Sequence, residues 1–257
     1  MNTLDRQVPA SKSIQLMATC LCDAFFDDVA KATVQVLEWA GCNVEFPEGQ
    51  TCCGQPAFNA GDWKASRQVV RHVMDVFQGE KPVVVPSGSC AAMGFHGALL
   101  EFEKEPDLPQ VKQLASRTWE LTDYLVNGLG IEKIPGKVSA RVSFHRSCHS
   151  RGTCTGPSAV KLLSSIEGIE LLPFGEQEQC CGFGGAFSVS FPNISKKMGE
   201  LKIEHVLADN PDILASVDMG CLLHLGGIID KSGREIPRKH VAQIIRDALV
   251  EAGEIKE

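Results

Sequence analysis

The chain has 257 residues, of which 44% are apolar and 22% charged, and a net charge of −7. That length holds one large core or two domains of about 120 residues each. The negative charge argues against a life on nucleic acid, whose phosphates call for a surplus of Lys and Arg. No segment reaches the roughly 18–20 uncharged apolar residues that span a bilayer. The longest apolar stretch, 213–229, is interrupted by Asp218 and His224. The N-terminus carries Asp5, Arg6 and Lys12 and no clean apolar region, so no signal peptide is read and the expectation is a cytoplasmic protein. Eleven cysteines in a reducing compartment point to metal ligation or redox chemistry rather than a disulfide framework.

In chain order, the short apolar runs 14–18 and 83–85 predict buried strands, with 44–46 a weaker third. Helical patterns cover 27–40 and 61–77; in the latter Val69, Val70, Val73, Val76 and Phe77 recur near the helical period, and Asp62 is an acid at the N-terminal end. Pro135-Gly136 then punctuates the chain. Beyond it, 141–144, 169–172 and 213–217 predict strands, and 157–166 and 194–208 predict helices. Alternating strands and helices imply parallel sheets with crossover helices.

The two halves repeat. Cys52-Cys53-Gly54 returns as Cys180-Cys181-Gly182, each doublet 32 residues after another cysteine, Cys20 or Cys148. An offset of 128 residues aligns these positions, and a later cysteine, Cys90 or Cys221, follows at an offset of 131. The expected fold is therefore α/β: two tandem duplicated domains, residues 1–133 and 134–257, each a small parallel sheet with flanking helices. Cys20, Cys90, Cys148 and Cys221 each fall just after a predicted strand, and the doublets fall in loops after the runs 44–46 and 169–172. In an open parallel sheet those positions share the carboxyl edge, where ligand sites form.

Each half thus supplies four thiols: Cys20, Cys52, Cys53 and Cys90, and Cys148, Cys180, Cys181 and Cys221. Four thiolates are the usual complement of a [4Fe–4S] cluster. Adjacent side chains point apart, so a vicinal pair reaches two irons of a cluster more easily than two corners of one zinc tetrahedron. Gly54 and Gly182 allow positive φ and close backbone approach, and loop amides can donate to the sulfides. Structural zinc is the alternative, although such sites use C-x₂₋₄-C knuckles that the repeated thiols lack. Cys42 is read as core, and Cys22 and Cys154, with no counterparts, are left out of the sites. His145 and His149 flank Cys148, and His224 stands three residues after Cys221. Each is a candidate ligand or hydrogen-bond donor, or simply a partner for a loop carbonyl; His205 and His240 are read as lying away from the metal.

The repeated C-x₃₁-CCG-x₃₅/₃₈-C pattern resembles the cysteine-rich CCG domain family, which includes the cysteine-rich subunit of heterodisulfide reductase and the iron–sulfur subunit of glycolate oxidase. Phe144-His145-Arg146-Ser147-Cys148-His149, Cys180-Cys181-Gly182-Phe183-Gly184-Gly185, Gly220-Cys221-Leu222-Leu223 and Ser87-Gly88-Ser89-Cys90 look most like its lactate-utilization branch. Heterodisulfide-reductase-type members end each half in Cys-x-x-Cys, where this chain has Met93 and His224. The missing fifth thiol favours a four-thiolate cubane in the first half. At the second site His224 replaces the cysteine as a metal ligand, or the site holds zinc or nothing.

The resemblance implies an iron–sulfur electron-transfer subunit with one or two [4Fe–4S] clusters, in a system oxidising L-lactate to pyruvate. The other lactate-utilization iron–sulfur proteins would be its partners, and one of them could be membrane-associated. No glycine-rich dinucleotide fingerprint follows a strand, so a flavin or nicotinamide would come from elsewhere. The alternatives are a cluster-based disulfide or thiol reductase subunit and a zinc-stabilised scaffold in a redox complex.

Overall fold

The computed structural model describes residues 12–173 and 176–256. Strands β1 (Ser13–Leu16), β2 (Asn43–Glu45), β3 (Val83–Val85) and β4 (Thr118–Glu120) form one parallel sheet of order β2-β1-β3-β4. Strands β5 (Lys137–His145), β6 (Glu167–Leu171), β7 (Ile213–Ser216) and β8 (Arg238–His240) form a second, of order β6-β5-β7-β8. The second order is the first shifted by four strands, so the duplication read in the sequence is a duplication of fold.

Helices supply the crossovers. In the first half α1 (Cys20–Phe25) and α2 (Asp27–Trp39) lead from β1 to β2, and α3 (Gln55–Asn59) and α4 (Trp63–Val76) lead on to β3. Beyond β3 come α5 (Gly88–Ala92), a π turn at Met93–Gly97, α6 (Ala98–Glu101) and α7 (Leu108–Arg117). After β4, α8 (Leu121–Asp123) runs into a second π turn at Tyr124–Gly128. In the second half a 3₁₀ turn at Cys148–Ser150 and α9 (Thr155–Ser165) follow β5, and α10 (Ala186–Ser190) and α11 (Pro192–Leu207) follow β6. Helix α12 (Met219–Lys231) follows β7, and α13 (Val241–Glu251) follows β8.

Local chemistry fixes the ends of these elements. Asp62 caps α4 by accepting from the Ala65 amide at 3.0 Å. The α4 face that turns inward buries Ser66, Val70 and Val73. At the other end of the chain the His240 imidazole accepts from the Ala242 amide, and Gln243 reaches back to the His240 amide at 2.7 Å, closing a capping box on α13.

The packing of the halves is reciprocal. Helix α13, the last of the second half, lies on α2 of the first, while α8 and the π turn after it lie on α9 of the second. The largest core is consequently shared: Ile14, Leu16, Val36 and Leu37 pack in one cluster with Val142, Phe144, Leu162, Ile245 and Leu249. Polar links mark the exchange. Asp28 on α2 accepts from Gln243 and from Arg246 on α13, both at 2.7 Å, and the Thr122 hydroxyl donates to the Thr155 carbonyl at 3.2 Å. The expected division at 133/134 falls between the second π turn and β5, and each side of it buries helices of the other.

This sharing predicts that Ile245→Ala costs about 2–5 kcal/mol, read as a lower denaturant midpoint with loss of signal from both halves in one transition. A second prediction concerns Glu120. It is fully buried, accepting from the Thr122 amide and hydroxyl (2.8 and 2.5 Å) and the Asp123 amide (3.2 Å). Burial pushes its carboxyl up to about 8. The folded state therefore binds this proton more tightly than the unfolded chain. The stability this contributes is complete below about pH 4.5 and is lost as pH rises through about 8. The stability of the natural chain relative to Glu120→Gln should fall between pH 5 and 9, by no more than about 1.4 kcal/mol per pH unit. Denaturant titrations of both proteins across that range check it; a constant difference would refute the assignment.

Candidate metal centre

Because every strand in each sheet is parallel, all the carboxyl ends of a sheet lie on one edge, and the reciprocal packing turns the two edges toward each other. They enclose a cavity of about 200 Å³ lined by Cys20, Cys52, Cys53 and Cys90 from one side and Cys148, Cys180, Cys181 and Cys221 from the other. The eight repeated cysteines thus line one cavity, where the sequence suggested two separate sites. All eight are free thiols. Cys22, left out of the sites on sequence grounds, lines the same cavity from α1, whereas Cys42 is buried in the shared core.

The doublets are held alike. Gly54 and Gly182 adopt φ of 93° and 92°, in the left-handed region that favours glycine. In each half a serine of the following long helix bonds to that glycine's carbonyl: Ser66 Oγ to Gly54 at 3.2 Å and Ser195 Oγ to Gly182 at 2.8 Å. A Cβ at Gly182 would meet the Ser195 carbonyl at 2.6 Å; one at Gly54 would meet Ser66 Oγ at 3.2 Å. Ser66 and Ser195 escaped sequence analysis, although their nearly constant distance from the doublets was a usable signal.

Within each set the sulfurs crowd together. Cys148 and Cys180 Sγ are 3.7 Å apart, and Cys181 and Cys221 Sγ are 3.2 Å apart. The Gly182 amide points at Cys180 Sγ (3.4 Å) and the Phe183 amide at Cys181 Sγ (3.5 Å). Cys180 is held down to about 2 by bonds from the Cys148 and Cys181 thiols and the Gly182 amide; Cys52 is held down to about 2 by the equivalent bonds from Cys20, Cys53 and the Gly54 amide. Their neighbours Cys148, Cys181, Cys20 and Cys53 are pushed up, first by donating those bonds and then by burial. In each set the first thiol of the doublet therefore readily carries a negative charge, and the two thiols bonded to it resist another. Further ionisation needs a cation among the sulfurs, which is the condition a metal centre meets.

The halves are tied at the cavity wall by Asp218, which is 2% exposed. One of its oxygens accepts from Ser87 Oγ (2.8 Å), Ser89 Oγ (2.7 Å) and the Ser89 amide (3.0 Å), all at the start of α5, the helix that presents Cys90. The Gly88 amide adds a bond to the Val217 carbonyl at 3.2 Å.

The histidines divide. His224 does not line the cavity: its ring nitrogen lies 3.4 Å from Ser195 Oγ and 3.3 Å from the Ser195 carbonyl, and the ring tilts against Phe183. It braces the serine that holds Gly182, as Glu101 does for Ser66 at 3.1 Å in the first half. His149 lines the cavity with Nδ1 3.5 Å from Cys148 Sγ. His145 is fully buried, and its ring nitrogen groups with the Cys181 and Cys221 sulfurs, all within 4.8 Å of one another. Among the described residues this is the metal-competent grouping that includes a nitrogen donor.

A duplicated parallel α/β scaffold with thiols at its strand ends defines the class, and comparison agrees: the signature of the cysteine-rich CCG domain matches residues 14–93 and 142–226. The chain belongs to that family, and within it to the family of lactate utilization protein A. It is 43% identical over 239 residues to lactate utilization protein A of Shouchella clausii, with 91% of this chain and 98% of that protein covered. Against the Geobacillus kaustophilus protein of the same name the identity is 42% over 239 residues, covering 90% and 98%. The fold also resembles a hypothetical protein from Helicobacter pylori, with a TM-score of 0.58 at 13% identity. That likeness covers 94% of this chain and 49% of the other, so this chain spans about half of that protein.

The doublet geometry predicts unequal responses to glycine replacement. Gly54→Ala and Gly182→Ala each place a side chain at positive φ, costing roughly 1–3 kcal/mol, and Gly182→Ala adds the clash with the Ser195 carbonyl. Gly182→Ala should lower the denaturant midpoint more than Gly54→Ala; an equal or reversed order would refute the cradle.

Proposed function

We propose that the protein is an iron–sulfur electron-transfer subunit of a system that oxidises L-lactate to pyruvate. Its support is the convergence of two complete four-thiol sets on one cavity. Cys20, Cys52, Cys53 and Cys90 would hold one [4Fe–4S] cluster, and Cys148, Cys180, Cys181 and Cys221 another; each cluster, when bound, supplies reversible one-electron storage. The chain's own residues perform the rest. Cys52 and Cys180 present ready thiolates, and loop amides such as those of Gly182 and Phe183 direct N–H groups at sulfur, which favours the more negative, reduced charge state. The glycine–serine cradles keep the doublets in place through a change of charge.

The lactate assignment comes from the relatives' names. No described helix is long and apolar enough to cross a membrane. The other lactate-utilization proteins are the partners this reading calls for, one to deliver electrons and one to accept them.

One observation favours a second reading for the second site. The Sγ separations of 3.2 and 3.7 Å approach the edge of about 3.8 Å that a zinc tetrahedron with Zn–S bonds of about 2.3 Å requires. Anaerobically purified protein separates the two. Iron and acid-labile sulfide at about four or eight each per chain, with visible absorption that bleaches reversibly on reduction, are expected. Stoichiometric zinc without sulfide would sink the electron-transfer reading. Cys53→Ser should remove one cluster's iron and spectroscopic signal and leave the other; loss of both would contradict two separate ligand sets.

A further inference from the structure

The two sites share a design but differ in what stands behind the sulfurs. His145, the last residue of β5, is fully buried, and neither of its ring nitrogens has a hydrogen-bond partner within the protein. A buried polar group left without a partner costs about 1–3 kcal/mol, and two on one ring call for something outside the chain to engage them. The ring groups with the Cys181 and Cys221 sulfurs, all within 4.8 Å of one another, so the missing partner belongs with those sulfurs. A neutral imidazole carries one N–H and an imidazolium two, so the ring has a donor to offer in either state.

A buried cation stands on the same side. Lys202 on α11 is fully buried, with Nζ donating to the Glu176 and Gln177 carbonyls at 2.8 and 3.2 Å. Burial pushes its ammonium down to about 8, and the charges of Cys181, Cys221 and Cys180 act against that by favouring the protonated form. The first half has neither group. Offset by 128 residues, the position of His145 is held by Met17; counted from the paired serines Ser66 and Ser195, the position of Lys202 is held by Val73. Both replacements are buried, and neither has an N–H or a charge to offer.

We infer that His145 donates an N–H hydrogen bond to sulfur of the second centre and, together with the Lys202 ammonium, makes that centre easier to reduce than its four thiolates alone would allow. The inference rests on the iron–sulfur reading above. Reduction adds one electron to an already anionic cluster; an N–H dipole and a cation in a low-dielectric setting favour that added charge. Desolvation alone works the other way, because burial disfavours the more highly charged state. His145 and Lys202 oppose that penalty where it is largest, since Cys181 and Cys221 are buried while Cys20 of the first set is exposed. The four thiolates already provide one ligand per iron, which leaves the imidazole a donor to sulfur rather than a fifth ligand.

The test is an anaerobic redox titration of the loaded protein, followed by EPR, on the natural chain and on His145→Leu, His145→Gln, Lys202→Met and Met17→Leu. Iron and sulfide are counted in each first. His145→Leu and Lys202→Met should shift one of two midpoints to lower potential, and a Cys53→Ser background, which keeps only the second cluster, should show the shifted midpoint. His145→Gln, which retains an N–H donor, should restore most of the shift, and Met17→Leu should change nothing. Unchanged midpoints with both clusters retained would overturn the inference. So would loss of the second cluster in both His145 variants, or a nitrogen hyperfine coupling strong enough for a direct iron ligand. Loss in His145→Leu with retention in His145→Gln would support it. Absence of sulfide from the natural chain would instead defeat the iron–sulfur reading itself.

Discussion

The carboxylate of Asp218 sits where the two repeats meet, and the shared cavity depends on it. Asp218 and Ser87 occupy matching positions 131 residues apart, each three residues before a cysteine of its own set. Ser87 Oγ accepts from the Cys90 amide of its own half and donates to Asp218 across the junction. A buried carboxylate beside thiols that are to hold negative charge is unfavourable unless its charge is taken up locally. The hydroxyls of Ser87 and Ser89 and the Ser89 amide do that, and in doing so they fix the first turn of α5 and with it Cys90. The same contact thus closes the cavity and aims one of its thiols.

Crowding of the sulfurs is the second constraint. Bonded thiols share their protons unevenly, with Cys52 and Cys180 held down and Cys20 and Cys148 pushed up. Such an arrangement stores an affinity for positive charge. The backbone that maintains it is stiff at the places that matter: left-handed glycines after both doublets, each pinned through its carbonyl to a serine on a long helix. Binding a metal there would require deprotonation of the remaining thiols.

Much of this was legible in the sequence because the cysteines repeat at spacings that only a repeated fold explains. Strands β3 and β7 stand within a residue of their expected ends, since short runs of branched apolar residues are unambiguous when buried on both faces. Strands β4 and β8 were missed: Thr118-Trp119-Glu120 and Arg238-Lys239-His240 are three residues long and mostly polar, and what makes them strands is pairing with β3 and β7. The reciprocal exchange of α8 and α13 was also hidden, because amphipathic patterns show that a helix has a buried face and not whose core it enters. The histidines show the same limit. His224 drew attention through its place three residues after Cys221, yet the helix carries its ring to Ser195. His145 ends a strand whose register sends it behind Cys181 and Cys221, and register is a property of the sheet.

The shared cavity also bears on how such a protein meets its partners. The distance between the two thiol sets is set by the folded chain, so under the proposed function exchange between centres held there would be intramolecular and independent of what docks outside. A partner would then need access to one set only. The sets differ in this respect: Cys20 is exposed at the start of α1, whereas Cys181 and Cys221 are buried and backed by His145 and Lys202. A duplicated scaffold with identical sites would offer an electron two equivalent resting places and no direction. On the proposed electron-transfer reading, divergence at a few positions behind the sulfurs, Met17 against His145 and Val73 against Lys202, would give the pair an open face for exchange and a sheltered interior that holds charge, without altering the thiols themselves.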